Sequence, residues 1–112
     1  MKKIEAIIRR ESVNYVMDEL EKIGIFGLTV WDVSGRGKQK GITQKWGGKE
    51  YNIRLLPKSK LEIVVPDKEL EKVKKVISSS ARTGNIGDGK IFISDISEAE
   101  RIRTGEQGEK AL

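Results

Sequence analysis

The sequence contains neither cysteine nor histidine. The first absence excludes disulfides and thiolate–metal ligation. The second excludes imidazole catalysis and imidazole–metal sites. Aromatic residues make up only 5% of the chain. No stretch approaches the roughly 18–20 apolar residues a membrane-spanning helix needs, so direct membrane insertion is not expected. Met1-Lys2-Lys3-Ile4-Glu5 has neither a hydrophobic segment nor a small-residue cleavage site of the secretory kind. With no cysteine either, a cytoplasmic location is expected.

What is present suits one small folded domain. The 112 residues are 37% hydrophobic and 35% charged, enough for one modest core and too apolar for a disordered chain. Net charge is +5, and its placement matters more than its size. Between Arg36 and Lys60 eight basic residues (Arg36, Lys38, Lys40, Lys45, Lys49, Arg54, Lys58, Lys60) face one acid, Glu50. That quarter of the chain therefore carries +7 and the remainder −2. Such asymmetry points to an anionic partner: phosphate, carboxylate, nucleic acid or an acidic protein face. A merely solvated loop gives the same count.

Periodicity places the elements. Lys3 to Arg9 alternates as a strand, with Ile4, Ala6 and Ile8 on one face. Ser12 is placed to cap a helix whose apolar stripe is Val13, Val16, Met17, Leu20 and Ile23, with Gly24 closing it. Phe26 to Val33 reads as a second strand, and Lys60 to Val65 as a third, with Leu61, Ile63 and Val65 inward. Pro66-Asp67 opens a second helix that buries Leu70, Val73, Val76 and Ile77, and Lys90 to Ile96 is a fourth strand. The order β-α-β-β-α-β predicts an α+β, ferredoxin-like sandwich in a single domain over residues 1–112. Ile7 and Val64 make the second sheet face apolar as well, so that face is expected to pack on another subunit. Between strands two and three a long segment, roughly 37–55, shows no apolar period and is expected to be mobile until bound.

Three constellations could carry chemistry. Thr83-Gly-Asn-Ile-Gly-Asp-Gly-Lys90, in a loop at about 82–90, offers backbone amides and a lysine to phosphate oxygens. It lacks the hydroxyl residue and the following helix of a Walker A loop, and the pattern fits a phosphate site and an ordinary glycine-rich turn equally. Arg101 and Arg103, in a C-terminal loop at about 101–109, alternate, so an extended segment would aim both guanidinium groups one way, for phosphate or simply into solvent. Gln39 and Lys58 flank the long segment and could close on a small dicarboxylate. No nucleophile–base pair or carboxylate pair suggests an enzyme.

At this point the motifs resemble those of the P-II nitrogen-regulatory signal-transduction proteins, over nearly the whole chain. The resemblance is carried by Met1-Lys-Lys-Ile-Glu-Ala-Ile-Ile8, Gly24-Ile-Phe-Gly-Leu-Thr-Val30, Gly35-Arg-Gly-Lys-Gln-Lys-Gly41 and Leu56-Pro-Lys58. It is most specific in Thr83 to Phe92 and in Ile102-Arg-Thr-Gly-Glu106. It implies a homotrimer with nucleotide sites between neighbours, where ATP and ADP compete. Gly87, Asp88, Gly89, Lys90, Arg101 and Arg103 would hold phosphates. Ile7, Thr29, Val64, and Gly35, Arg36 and Gly37, with Lys38 and Gln39, would surround the rest of the nucleotide. With ATP and Mg²⁺, 2-oxoglutarate would bind through Gln39, Lys40, Gly41 and Lys58, with Gln39 also reaching the metal. The long loop, through Lys45, Trp46, Lys49 and Tyr51, would address a regulated membrane transporter or metabolic enzyme. Tyr51 matches the position that some bacterial members modify.

Several positions depart from the family pattern. Arg9-Arg10-Glu11 stands where Lys-Pro-Phe is common, Arg36 where an aromatic is frequent, and Lys38 where Arg is commoner. Gly47 occupies the position of the arginine with which channel-blocking members plug a pore. The competing reading is a ferredoxin-like nucleic-acid-binding domain, but Lys3 to Arg9 and Lys60 to Val65 hold no aromatic on which a base could stack. No nucleic-acid partner is therefore expected.

Overall fold

An apolar residue every third or fourth position gives each helix one buried stripe, and both stripes pack on the same side of one sheet. In the computed structural model, which describes residues 1–38 and 42–112, the first helix is α1 (Val13–Lys22). It buries Val16 and Leu20 completely, with Val13 and Ile23 packed beside them. Gly24, at φ +84°, ends it: the Gly24 amide donates to the Glu21 carbonyl (2.9 Å) and the Ile25 amide to that of Leu20 (3.0 Å). This is the reversed-hydrogen-bond C-cap that a left-handed glycine permits. Ser12 sits at the N-cap position, yet its side chain makes no capping bond. A 3₁₀ turn, Arg10–Ser12, leads into the helix instead, and the Ser12 amide donates to the Arg9 carbonyl.

The second helix, α2 (Leu70–Ala81), is likewise preceded by a 3₁₀ turn, Asp67–Glu69, that Pro66 introduces. It buries Val73, Ile77 and Ala81. Together with Ile4, Ala6, Ile8, Leu61, Ile63 and Val65 these side chains form the core. Each large aliphatic among them contributes roughly 1.5–3 kcal/mol by leaving water.

The main sheet has strand order β2-β5-β1-β6, with every neighbouring pair antiparallel, built from β1 (Lys2–Ile8), β2 (Thr29–Gly35), β5 (Leu56–Val65) and β6 (Lys90–Asp95). Register pairs Ile4 with Ile63 and Ala6 with Leu61, which sends both sets toward the helices. It also sends Lys3, Glu5 and Ile7 of β1 and Lys60, Glu62 and Val64 of β5 to the opposite, uncovered face. Trp31 of β2 and Phe92 of β6 are exposed there, and the Lys60 ammonium lies 5.1 Å from the Trp31 ring centroid.

The α+β expectation, two helices on an antiparallel sheet, is met. Most strand ends shift by one or two residues, and two strand starts shift by more. β2 begins at Thr29, leaving Phe26 exposed, and β5 begins at Leu56, because Leu56 to Ser59 pair with β2 although their side chains follow no clean apolar alternation.

The long segment is not the aperiodic loop that its sequence suggested. It folds into a separate two-stranded sheet, β3 (Ile42–Trp46) against β4 (Lys49–Ile53), with Trp46 opposite Lys49. Gly47 and Gly48 form the two-residue turn at φ +58° and +77°. That pair of left-handed residues matches the twist a tight hairpin needs. The molecule is consequently elongated, measuring 60 × 25 × 21 Å. Among the described residues, no helix is long and apolar enough to cross a membrane.

Candidate functional site

The loop joining α2 to β6 approaches the end of β1 so closely that one residue type alone fits. A Cβ on Gly89 would lie 1.7 Å from the Ile7 carbonyl oxygen, and Gly89 sits at φ +106°. Glycine is therefore required twice over, by space and by backbone. Gly84 and Gly87 share the positive φ, so the loop doubles back on itself before Lys90 enters β6 opposite Ile7.

Asp88 fastens the near half of this loop. Its carboxylate accepts hydrogen bonds from the Thr83 amide (2.9 Å), the Gly84 amide (2.8 Å) and the Thr83 hydroxyl. The Arg9 guanidinium lies 3.3 Å from it. The Thr83 hydroxyl, then its amide, hold this carboxyl far below the usual carboxylate range, with Gly84 and Arg9 adding to the effect. The Asp88 side chain is thus committed to its own loop, leaving its backbone as the part that could meet a ligand.

Across the cleft, β5 presents Lys58, whose ammonium donates to the Gly87 carbonyl at 2.7 Å. The end of β2 supplies Gly35, followed by Arg36 and Gly37. With Ile7, Gly87, Gly89, Lys90 and Phe92 these residues line a cavity of about 270 Å³. Its charged lining is entirely basic: Arg36, Lys58 and Lys90. An anionic ligand with an apolar part suits such a cleft. A larger hollow of about 410 Å³ lies between α2 and the same loop, over Ile8, Ile77, Ala81 and Ile91. It shares Gly89 and Lys90 with the cleft, but Arg36, Lys58 and the end of β2 belong to the smaller one alone.

The structure therefore brings together Ile7, Gly35, Arg36, Gly37, Lys58, Gly87, Gly89 and Lys90 from four separate stretches of chain. Thr29 and Val64 lie on the same uncovered sheet face without lining the cavity. Lys38 follows the lining segment in sequence without lining it. Gln39, Lys40 and Gly41 lie outside the described residues, as does the Tyr51 side chain. Lys45, Trp46 and Lys49 are exposed around the hairpin tip, Trp46 to 81%.

Arg101 and Arg103 are not on an extended segment. Residues 102–104 form a turn that the Gly105 amide closes on the Arg101 carbonyl at 2.8 Å. Arg101 is engaged within this segment, donating to Glu106 Oε1 (2.8 Å) and the Leu112 carbonyl (3.2 Å), while Arg103 is exposed. Neither lines the cleft of its own chain.

Comparison with known proteins bears on what such a cleft belongs to. The family model described as nitrogen regulatory protein P-II matches residues 1–106. The nitrogen regulatory protein P-II 1 of Methanothermobacter thermautotrophicus is 54% identical over 112 residues, covering all of this chain and 97% of its own length. The nitrogen regulatory proteins P-II of Porphyra purpurea and Pasteurella multocida are 50% and 48% identical, each over the full length of both chains. The chain belongs to the nitrogen regulatory protein P-II family. These relatives are named as regulatory proteins, which fits a signalling role in nitrogen regulation for this P-II chain.

Sequence reasoning missed two residues that build this P-II cleft, Arg9 and Arg10. Arg9 donates to the Ile86 carbonyl at 2.7 Å, and Arg10 to the Lys58 carbonyl at 3.2 Å. The available signal was the departure from the common Lys-Pro-Phe, but nothing local shows what those side chains reach.

Proposed function

We propose that this P-II chain is a homotrimeric sensor of adenine nucleotides and 2-oxoglutarate that regulates a partner protein through its hairpin. The observation that carries the reading is the convergence of the glycine loop, Lys90, Lys58 and the β2 end on one basic cleft beside the apolar Ile7 and Phe92. Phosphates of ATP or ADP suit the glycine loop and Lys90, while Ile7 and the Gly35 to Gly37 backbone suit a base and sugar. Thr29, Val64, Arg101 and Arg103 do not line this cleft in their own chain, and in the proposed trimer they complete a neighbour's.

Among the described residues no three metal-binding side chains converge. A Mg²⁺ ion at this cleft would accordingly depend on phosphate oxygens, the usual arrangement for that ion, with Gln39 as the proposed protein ligand. Lys58 suits a carboxylate of 2-oxoglutarate, alongside Gln39, Lys40 and Gly41. Metal shared between ATP and the 2-oxo acid would make each ligand raise affinity for the other. The uncovered sheet face, with Ile7, Val64, Trp31 and Phe92, is the proposed subunit contact. Lys45, Trp46, Lys49 and Tyr51 are the proposed contacts to a transporter or metabolic enzyme, and Tyr51 is a proposed modification site.

Calorimetric titration tests the reading. ATP and ADP are expected to bind and to compete, and 2-oxoglutarate to bind only with ATP and Mg²⁺ present. A protein that takes up neither nucleotide would sink the proposal. Binding of 2-oxoglutarate without ATP would sink the effector assignment alone.

A further inference from the structure

The turn after β1 carries two adjacent arginines whose side chains go to opposite walls of the cleft. Arg10 donates from Nε to the Lys58 carbonyl (3.2 Å) and from Nη2 to the Val33 carbonyl (3.4 Å), and lies 3.5 Å from Asp32 Oδ1. It therefore grips the ends of β5 and β2. Arg9 reaches the glycine loop. Its Nη2 donates to the Ile86 carbonyl at 2.7 Å and lies 3.3 Å from Asp88 Oδ1. A Cβ on Gly87 would sit only 3.0 Å from Arg9 Nη1, so the guanidinium rests against the loop backbone. The Arg9 side chain is 23% exposed, which keeps these bonds largely out of water.

We propose that Arg9 is a positioning residue for phosphate recognition, holding the 83–89 loop in the conformation in which Gly87, Gly89 and Lys90 line the cleft. The inference rests on reading that cleft as the nucleotide site. A loop with three glycines at positive φ has many alternative conformations, so its binding form needs fastening. Within the loop Asp88 fastens it to its own beginning, at Thr83 and Gly84, and its remaining side-chain partner is Arg9 itself. Among the described residues, two side chains tie it to the sheet side of the cleft: Lys58, through the Gly87 carbonyl, and Arg9. Lys58 lines the cavity, and an anionic ligand there competes for its ammonium. Arg9 does not line the cavity, and its partners are a carbonyl and a carboxylate of the loop itself. Its hold persists when Lys58 turns to a ligand. A guanidinium can engage the Ile86 carbonyl and Asp88 together, whereas a lysine at this position offers one point charge.

The test compares the full-length protein with Arg9→Ala and Arg9→Lys. In nucleotide-free protein, amides of the 83–89 loop should exchange at least about tenfold faster in Arg9→Ala, with those of β1, β5 and α2 unchanged. If only about a tenth of the molecules then hold the competent loop, ADP affinity falls about tenfold. Adenosine, which carries no phosphate, should lose nothing, and Arg9→Lys should lie between. Loop exchange and ADP affinity both within about twofold of wild type would overturn the proposal. Faster exchange spread through β1 and α2 would overturn it too, by making Arg9 a general stabiliser. If Arg9→Ala fails to fold, Arg9→Lys carries the same comparison. A wild type that does not bind ADP removes the nucleotide reading and the phosphate half of this one, while the exchange result still decides whether Arg9 positions the loop.

Discussion

At Gly89 a methyl group has nowhere to go. Alanine there combines a Cβ only 1.7 Å from the Ile7 carbonyl oxygen with a positive φ. The strain is expected to cost on the order of 3 kcal/mol, or to be relieved by displacing the loop. Denaturant unfolding of Gly89→Ala with nucleotide titration separates the two: displacement spares stability and abolishes binding. Asp88 gives a pH signature. Its folded-state pKa lies below the unfolded value of about 4, so its contribution is complete at neutral pH. That contribution declines as pH falls through and below the ordinary carboxylate range. Loop protection in wild type should therefore weaken between about pH 4 and pH 2, and Asp88→Asn should flatten that dependence. Amide exchange measured across the range checks it. At this scale the sequence was readable wherever composition was local. The glycines before Lys90 announced a tightly turned loop, and three of them do take positive φ. Arg9 did not announce itself, because its partners lie 77 and 79 residues away.

The elements show a similar division. Helix stripes and the alternation of β1 and the end of β5 follow from burial on one face, and burial is what periodicity records. Leu20, fully buried in α1, is expected to cost about 3 kcal/mol on truncation to alanine, measurable by denaturant titration. The hairpin was misread because its described side chains, at 43–50 and 52, are exposed, so no apolar period marks them. Its signal was turn chemistry, two glycines between short β-forming runs. Replacing Gly47 and Gly48 by alanine puts two side chains in the left-handed region, at roughly 1–2 kcal/mol each. The expected result is faster amide exchange in β3 and β4, with global unfolding unmoved. Trp46→Ala, by contrast, should leave both unchanged and weaken capture of the partner, since Trp46 is 81% exposed.

At the scale of the whole molecule, the uncovered sheet face is the proposed subunit contact. It carries Trp31, Phe92, Ile7 and Val64 among Lys3, Glu5 and Lys60, with Glu5 paired to Lys3 on its own strand and to Lys60 on the neighbouring one. The expected assembly sediments at three times 12.6 kDa, and Phe92→Asp should shift it toward the single chain. A wild type sedimenting as one chain would refute the trimer and leave the neighbour-completed site without support.

Among the described residues, the two hairpin strands pair only with each other. They form a sheet separate from the four-stranded one, and the hairpin's exposed side chains add little to the core. Thermodynamically it is an interchangeable attachment: selection can rewrite the proposed contact surface without testing each change against foldability. A chimera carrying another family member's hairpin on this body should melt at the same temperature and answer to the donor's partner. Specificity of output and stability of the scaffold are then separately tunable properties of one short chain.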